Sequence, residues 1–156
     1  MSLTVKTLRK NDIPPESIVI EVTESRIARH RTNMLEVLTR LHLLGFSLSI
    51  DDFGTGYSSL DRLKELPFTE LKIDRGFVSD AMKNEHGLAI LRSSVQLARD
   101  FQMSIVAEGV ENLETYNLVK TEDCDAVQGY FVAKPMSLNQ LLDWLTRNSA
   151  PVKLAQ

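Results

Sequence analysis

Short β-branched runs alternate along this chain with longer segments of helical spacing. The runs are Ile18 to Thr23, Phe46 to Asp51, Glu70 to Asp74, Ser104 to Glu108 and Ala126 to Phe131. Between them, Met34, Leu38, Leu41 and Leu44 form one apolar stripe, and Gly45 follows as a plausible helix-terminating residue. Leu88, Leu91, Val95 and Ala98 form a second stripe. Leu138, Leu141, Leu142 and Leu145 form a third, opened by Ser137 with Gln140 three residues on, the pattern of a capping box. Strand, helix, strand, helix predicts a parallel α/β sheet. The chain contains no internal repeat, low-complexity tract or Gly/Ser-rich linker.

A second regularity lies at the strand ends, where polar residues recur: Glu21, Asp51, Lys72, Glu108 and Gln128. Strands have a period of two, so Val19, Glu21 and Thr23 share one face and Ile18, Ile20 and Val22 the other. Likewise Ser47, Ser49 and Asp51 oppose Leu48 and Ile50, and Lys72 and Asp74 oppose Leu71 and Ile73. One such residue facing solvent needs no explanation. Five in succession place three acids, a lysine and an amide at the C-terminal ends of adjacent parallel strands, where β/α barrels keep their catalytic groups.

The length of 156 residues suits one domain. A complete eight-stranded barrel needs about 250 residues, so there is room for only about five βα units. The expected fold is therefore α/β with about five parallel strands and flanking helices, either an open sheet or a partial TIM-type barrel lacking its first strands. The formal charge of −3, with 18 basic and 21 acidic residues, argues against binding a nucleic-acid polymer through its phosphates. The single cysteine, Cys124, excludes an internal disulfide and a cysteine-rich metal site, and the acids before it should raise its pKa. Nothing approaches the roughly 18 apolar residues of a membrane span, and the N-terminus lacks the apolar core of a secretory signal. The expected location is cytoplasmic.

The strongest local signal is Asp51-Asp52-Phe53-Gly54-Thr55-Gly56-Tyr57-Ser58-Ser59. Two adjacent carboxylates and a Gly-x-Gly turn offer hard oxygen ligands on a backbone that bends sharply. Neighbours on a regular strand point to opposite faces, so Asp51 and Asp52 can converge only if the strand is ending there. The alternative is an Asx-type turn capping a short helix from Ser58. Gly54 and Gly56 without a helix-start glycine do not make a dinucleotide fingerprint.

Five motifs follow in order: Ile20-Glu21-Val22-Thr23-Glu24-Ser25, the Asp-Asp-Phe-Gly-Thr-Gly run, Leu71-Lys72-Ile73-Asp74, Ala107-Glu108-Gly109-Val110-Glu111, and Gln128-Gly129-Tyr130 with Lys134-Pro135 beyond. Together they resemble the EAL family of cyclic di-GMP phosphodiesterases, which adopt a modified β/α barrel. The shared motifs lie within residues 13–145, so 1–156 is expected to be a single incomplete EAL-type domain with 146–156 as a tail. The resemblance implies that Glu21, Asp51, Asp52 and Glu108 are metal-site carboxylates. It implies that Lys72 holds or deprotonates the attacking water and that Asp74 is the acid beside it. Glu111 and Gln128 match catalytic, second-shell or substrate-side positions. Glu24, with Gly54, Thr55 and Gly56, matches the anchored, dimer-sensitive loop after Asp52. The implied cofactor is a pair of Mg²⁺ or Mn²⁺ ions, which neutralise the phosphate and generate a nucleophile near neutral pH. A lysine among acids ordinarily keeps its proton, which favours orienting water over deprotonating it.

The family's Glu-Ala-Leu and Asn-Leu-Ser-type motifs are absent from this sequence, and Asp123 stands where the family usually has glycine. Each missing motif implies one lost metal ligand, on strands that would precede residue 1. The expected function is thus part of a phosphodiesterase cutting cyclic di-GMP to linear pGpG, weak or inactive as this chain alone. The alternative is a non-catalytic nucleotide-binding, protein-binding or dimerisation module. Two unpaired edges, at Ile18–Thr23 and Ala126–Phe131, predict a homodimer or higher oligomer through the open barrel side. His30, His42 and His86 lack metal-ligand spacing, Trp144 reads as helix packing, and Lys6, Arg9 and Lys10 read as a solvated helix face.

Overall fold

Every β-branched run forms a strand in the computed structural model, which describes residues 3–29, 31–54 and 63–148. The strands are β1 (Val19–Thr23), β2 (Ser47–Phe53), β3 (Glu70–Ile73), β4 (Ser104–Glu108) and β5 (Ala126–Gln128). Among the described residues they pair in parallel, in sequence order, as one five-stranded sheet in which β1 and β5 each have a single strand neighbour. The helices are α1 (Leu3–Lys10), α2 (Glu24–Arg29), α3 (Arg31–Leu43), α4 (Arg75–Ala81), α5 (Glu85–Asp100), α6 (Leu113–Thr121) and α7 (Leu138–Arg147). A single 3₁₀ turn, Pro15–Ser17, leads into β1. Parallel strands need crossovers; α2 and α3 supply one between β1 and β2, α4 and α5 between β3 and β4, and α6 between β4 and β5. Gly45 closes the α3 turn at φ 93°, a left-handed conformation that costs glycine nothing.

The two faces of the sheet have opposite chemistry. Leu48, Ile50, Leu71, Ile73, Ile105 and Ala107 are fully buried under helices, with Leu38, Val78, Leu91, Ala98 and Val119 packed against them. Each fully buried leucine or isoleucine contributes roughly 1.5–3 kcal/mol of transfer free energy, so this layer holds the fold together. Leu8 of α1 joins a smaller cluster with Phe46, Ile18, Ile20 and Leu41, which seats the N-terminal helix on its own chain. The other face follows from the strand register: Glu21 beside Ser49, Ser49 beside Glu70, Glu70 beside Ser104, and Glu108 beside Gln128. A packed TIM interior is filled with branched apolar residues, whereas this face is mostly polar.

Three expectations shift. β2 continues beyond Asp51 to Phe53. β5 stops at Gln128, because the chain turns at Gly129 and Phe131 N–H donates to the Val110 carbonyl at 3.0 Å. The third apolar stripe makes its helix, with the full Ser137–Gln140 capping box, but α7 has no buried residue and Leu138 is 70% exposed. Helices α1, α2, α4 and α6 fall outside the three stripes, since two-turn helices show too few apolar repeats to register.

At Gly129 the backbone passes directly against the Val110 backbone, so an added Cβ would collide with the Val110 carbonyl and amide. Gly129→Ala must therefore push β5 away from the turn after β4. The expected loss is about 1–3 kcal/mol, measured by urea unfolding.

Candidate metal centre

The two aspartates converge through a bulge rather than a strand end. Ile50 is paired with Leu71 and Phe53 with Ile73, so Asp51 and Asp52 together face the single residue Lys72. Two residues against one is a β-bulge, which re-aims side chains that a regular strand would send to opposite faces. The irregularity is absorbed at Asp52, whose φ of 54° lies in the left-handed region that aspartate tolerates better than most residues. One carboxylate oxygen each from Asp51, Asp52 and Glu108 then lie within 4.8 Å of one another. Three hard oxygens at that spacing fit Mg²⁺, Mn²⁺ or Ca²⁺.

Lys72 occupies the centre of the sheet end. Its Nζ lies 2.7 Å from Glu108, 2.9 Å from Glu21 and 3.0 Å from Asp51. The strand carrying it is flanked by β2 and β4, and Glu21 reaches in from β1, so one ammonium ties four strands. An ammonium has three N–H donors, and three carboxylates accept them. Burial opposes the charge, but the hydrogen bonds that the ammonium donates to Glu108, Glu21 and Asp51 outweigh it and push the Lys72 pKa above its usual value. The lysine is held protonated, which favours an orienting role over that of a base. Asp52 is raised instead: partial burial disfavours its charge, Asp51 and Asp74 repel it, and Lys72 only partly offsets them.

The remaining candidates are spread around this cluster. Asp74 caps α4, its Oδ1 accepting from the Gly76 N–H at 2.8 Å, and it sits near enough to act electrostatically on Asp52. Glu24 opens α2 with only 2% exposure and accepts the Gly54 N–H at 2.9 Å, tying the end of β2 to β1's exit. Gly54 itself has φ 97°, and a Cβ there would strike the Phe77 ring. Thr55, Gly56, His30 and the Ser58 helix start lie outside the described residues. Gln128 is exposed in register with Glu108. Glu111 lines a cleft of about 600 Å³ with Arg75, Ser79 and Lys83. Sequence reasoning passed over Ser49, fully buried two residues before Asp51, whose hydroxyl has no hydrogen-bond partner among the described residues. Its only signal was a serine sharing the face of Asp51. His86 borders an apolar cavity of about 550 Å³ with Phe53, Phe77 and Ile90, and His42 is exposed. Trp144 is half-buried on α7. Burial, with Asp125 next, pushes the Cys124 thiol up to about 12, so burial rather than the neighbouring acids leads.

The parallel α/β sheet thus carries an acidic, lysine-centred cluster at the C-terminal ends of its strands. The profile of the EAL domain matches residues 1–135, and the chain belongs to that family. It is 42% identical over 135 residues to the bifunctional diguanylate cyclase/cyclic di-GMP phosphodiesterase MucR of Pseudomonas aeruginosa, covering 86% of this chain and 20% of MucR. It is 41% identical over 132 residues to the cyclic di-GMP phosphodiesterase RocR of the same organism, covering 85% of this chain and 34% of RocR. Among solved structures, the MucR phosphodiesterase in complex with c-di-GMP superposes with a TM-score of 0.83 at 40% identity, over 88% of this chain and 56% of that one. The Klebsiella pneumoniae BlrP1 manganese/c-di-GMP complex superposes at 0.79 and 32% identity, over 85% and 34%. The chain thus spans between a fifth and little more than half the length of these relatives. No described helix is long and apolar enough to cross a membrane.

The raised Asp52 carboxyl gives a signed prediction. It binds its proton more tightly folded than unfolded, so its ionisation costs stability. That cost is absent at acid pH and complete once pH exceeds the raised value. Asp52→Asn removes the cost and suits the left-handed backbone. In chelator at pH 7 its thermal midpoint should rise by about 1–2 °C, a shift that shrinks as pH falls into the carboxylate range.

Proposed function

We propose that this chain carries the divalent-metal site of a cyclic di-GMP phosphodiesterase, which cuts one phosphodiester to give linear pGpG. The observation that carries the reading is the bulge that brings Asp51 and Asp52 to one side, within reach of Glu108. Asp51, Asp52 and Glu108 would hold the ions, with Glu21 at the margin, and Mg²⁺ or Mn²⁺ suits their oxygen donors better than a softer ion. A divalent ion there supplies charge neutralisation of the phosphodiester and a nucleophile near neutral pH. The chain's own residues orient the reaction. Lys72, protonated, directs a water or phosphate oxygen by donating N–H bonds, and Glu24 fixes the backbone beside Asp52 through Gly54. Glu111 in its cleft and Gln128 in register with Glu108 are candidates for contacts to the substrate, and Asp74 caps α4. A cytoplasmic location belongs to this proposal and rests on the family resemblance.

The same chemistry limits the rate. Mg²⁺ demands near-octahedral coordination, and this chain's sequence contains no Glu-Ala-Leu or Asn-Leu-Ser segment to complete it. Hydrolysis by the chain alone, followed by chromatography of pGpG with Mn²⁺, should run at least about a hundredfold below a complete EAL domain, about 3 kcal/mol in the barrier. Asp51→Asn should abolish what remains. Full-rate conversion would refute the weak-site reading, and failure to bind c-di-GMP with Ca²⁺ would refute the substrate.

A second reading, as a self-associating module, is favoured by the unpaired β1 and β5 edges and by exposed Val19, Leu138 and Leu142. Edge strands without protecting charge pair with other chains. We propose a homodimer through this open side, burying more than roughly 1,000 Å². Light scattering at micromolar concentration should give twice the monomer mass. A stable monomer would contradict it.

A further inference from the structure

Lys72 does more than neighbour the proposed metal site, because it fills part of it. Two of the three carboxylates that could hold a cation, Asp51 and Glu108, are already engaged by Lys72 Nζ at 3.0 and 2.7 Å. Its third contact is Glu21 at 2.9 Å, so all three donors of the ammonium are committed to carboxylates. The residue is only 5% exposed. We infer that Lys72 is a resident cation, which assembles Glu21, Asp51 and Glu108 across four strands before any metal arrives and competes with a divalent ion for Asp51 and Glu108.

The inference deepens the metal-site reading and rests on it. A divalent ion held by Asp51 and Glu108 stands within a few ångströms of the ammonium. Like charges at that range repel strongly even under solvent screening. An ion that takes the oxygens facing the ammonium makes Lys72 release at least one of these carboxylates, and an ion that takes their other oxygens still meets its repulsion. That release frees an N–H, which is what an orienting role toward water or phosphate needs. The resident cation thus keeps the metal-free chain assembled and weakens its first metal.

The test uses the purified chain and metal alone. Free Mn²⁺ is counted by electron paramagnetic resonance, and unfolding is followed by circular dichroism in chelator and in Mn²⁺. Lys72→Met, of similar length but uncharged, should bind Mn²⁺ at least about tenfold more tightly. Its midpoint should fall in chelator, and its rise on adding Mn²⁺ should exceed the wild-type rise. Lys72→Arg, which keeps the charge, should restore the midpoint in chelator and the weaker Mn²⁺ affinity. A third readout needs no variant: the ¹⁵N resonance of the Lys72 ammonium should shift when the wild-type chain is saturated with diamagnetic Mg²⁺. Equal or weaker Mn²⁺ binding by Lys72→Met, or an unmoved ammonium resonance at saturation, overturns the competition while leaving the metal site standing. No Mn²⁺ binding by either protein overturns the metal site and the competition together.

Discussion

Carboxylates from β1, β2 and β4 converge on one ammonium from β3, and the site's shape depends on that ion group. Acids this close repel one another unless a cation stands between them. Removing one partner of a buried ion pair costs about 3–5 kcal/mol, because the charge left behind is uncompensated. Glu108 and Asp51, 15% and 22% exposed, are partly shielded and feel a reduced form of that cost. Glu21, with a side chain 48% exposed, contributes far less. The strength of the cluster is therefore concentrated on the two carboxylates that also belong to the metal trio.

The sheet makes this arrangement possible by separating its chemistries. Apolar residues on one face are sealed beneath helices, and polar residues gather on the other at the ends of successive strands. The bulge in β2 then solves a local problem that alternation creates, since two neighbouring aspartates cannot otherwise serve one centre. It is held from both sides. Glu24 accepts the Gly54 amide just beyond it, and Gly54 has space only for a hydrogen beneath the Phe77 ring. A resemblance in sequence to the EAL family thus corresponds to a specific backbone device.

The strands, the three longer amphipathic helices and the polar strand ends were legible in the sequence, because each is a periodic signal over several residues. Less was legible where geometry depends on a single register. Nothing in Asp51-Asp52-Phe53 distinguishes a strand ending from a strand bulging, so the route by which the aspartates converge needed coordinates. The shorter helices went unread; two of them, α4 and α6, are opened by Asp74 and Asn112, which accept from Gly76 and Thr115. Lys72 was readable as a site residue, but its simultaneous hold on three acids depends on distances across four strands. The exposure of α7 was also hidden, since an apolar stripe predicts a helix without naming what covers it.

The account stands most directly on where a divalent ion binds. Crystals of the chain soaked in Mn²⁺ and measured at the manganese absorption edge would locate it by anomalous scattering. The expected result is a peak coordinated by Asp51, Asp52 and Glu108, with the Lys72 ammonium moved from its metal-free position. A saturated crystal with no peak at that trio, or with its manganese bound elsewhere, would contradict it.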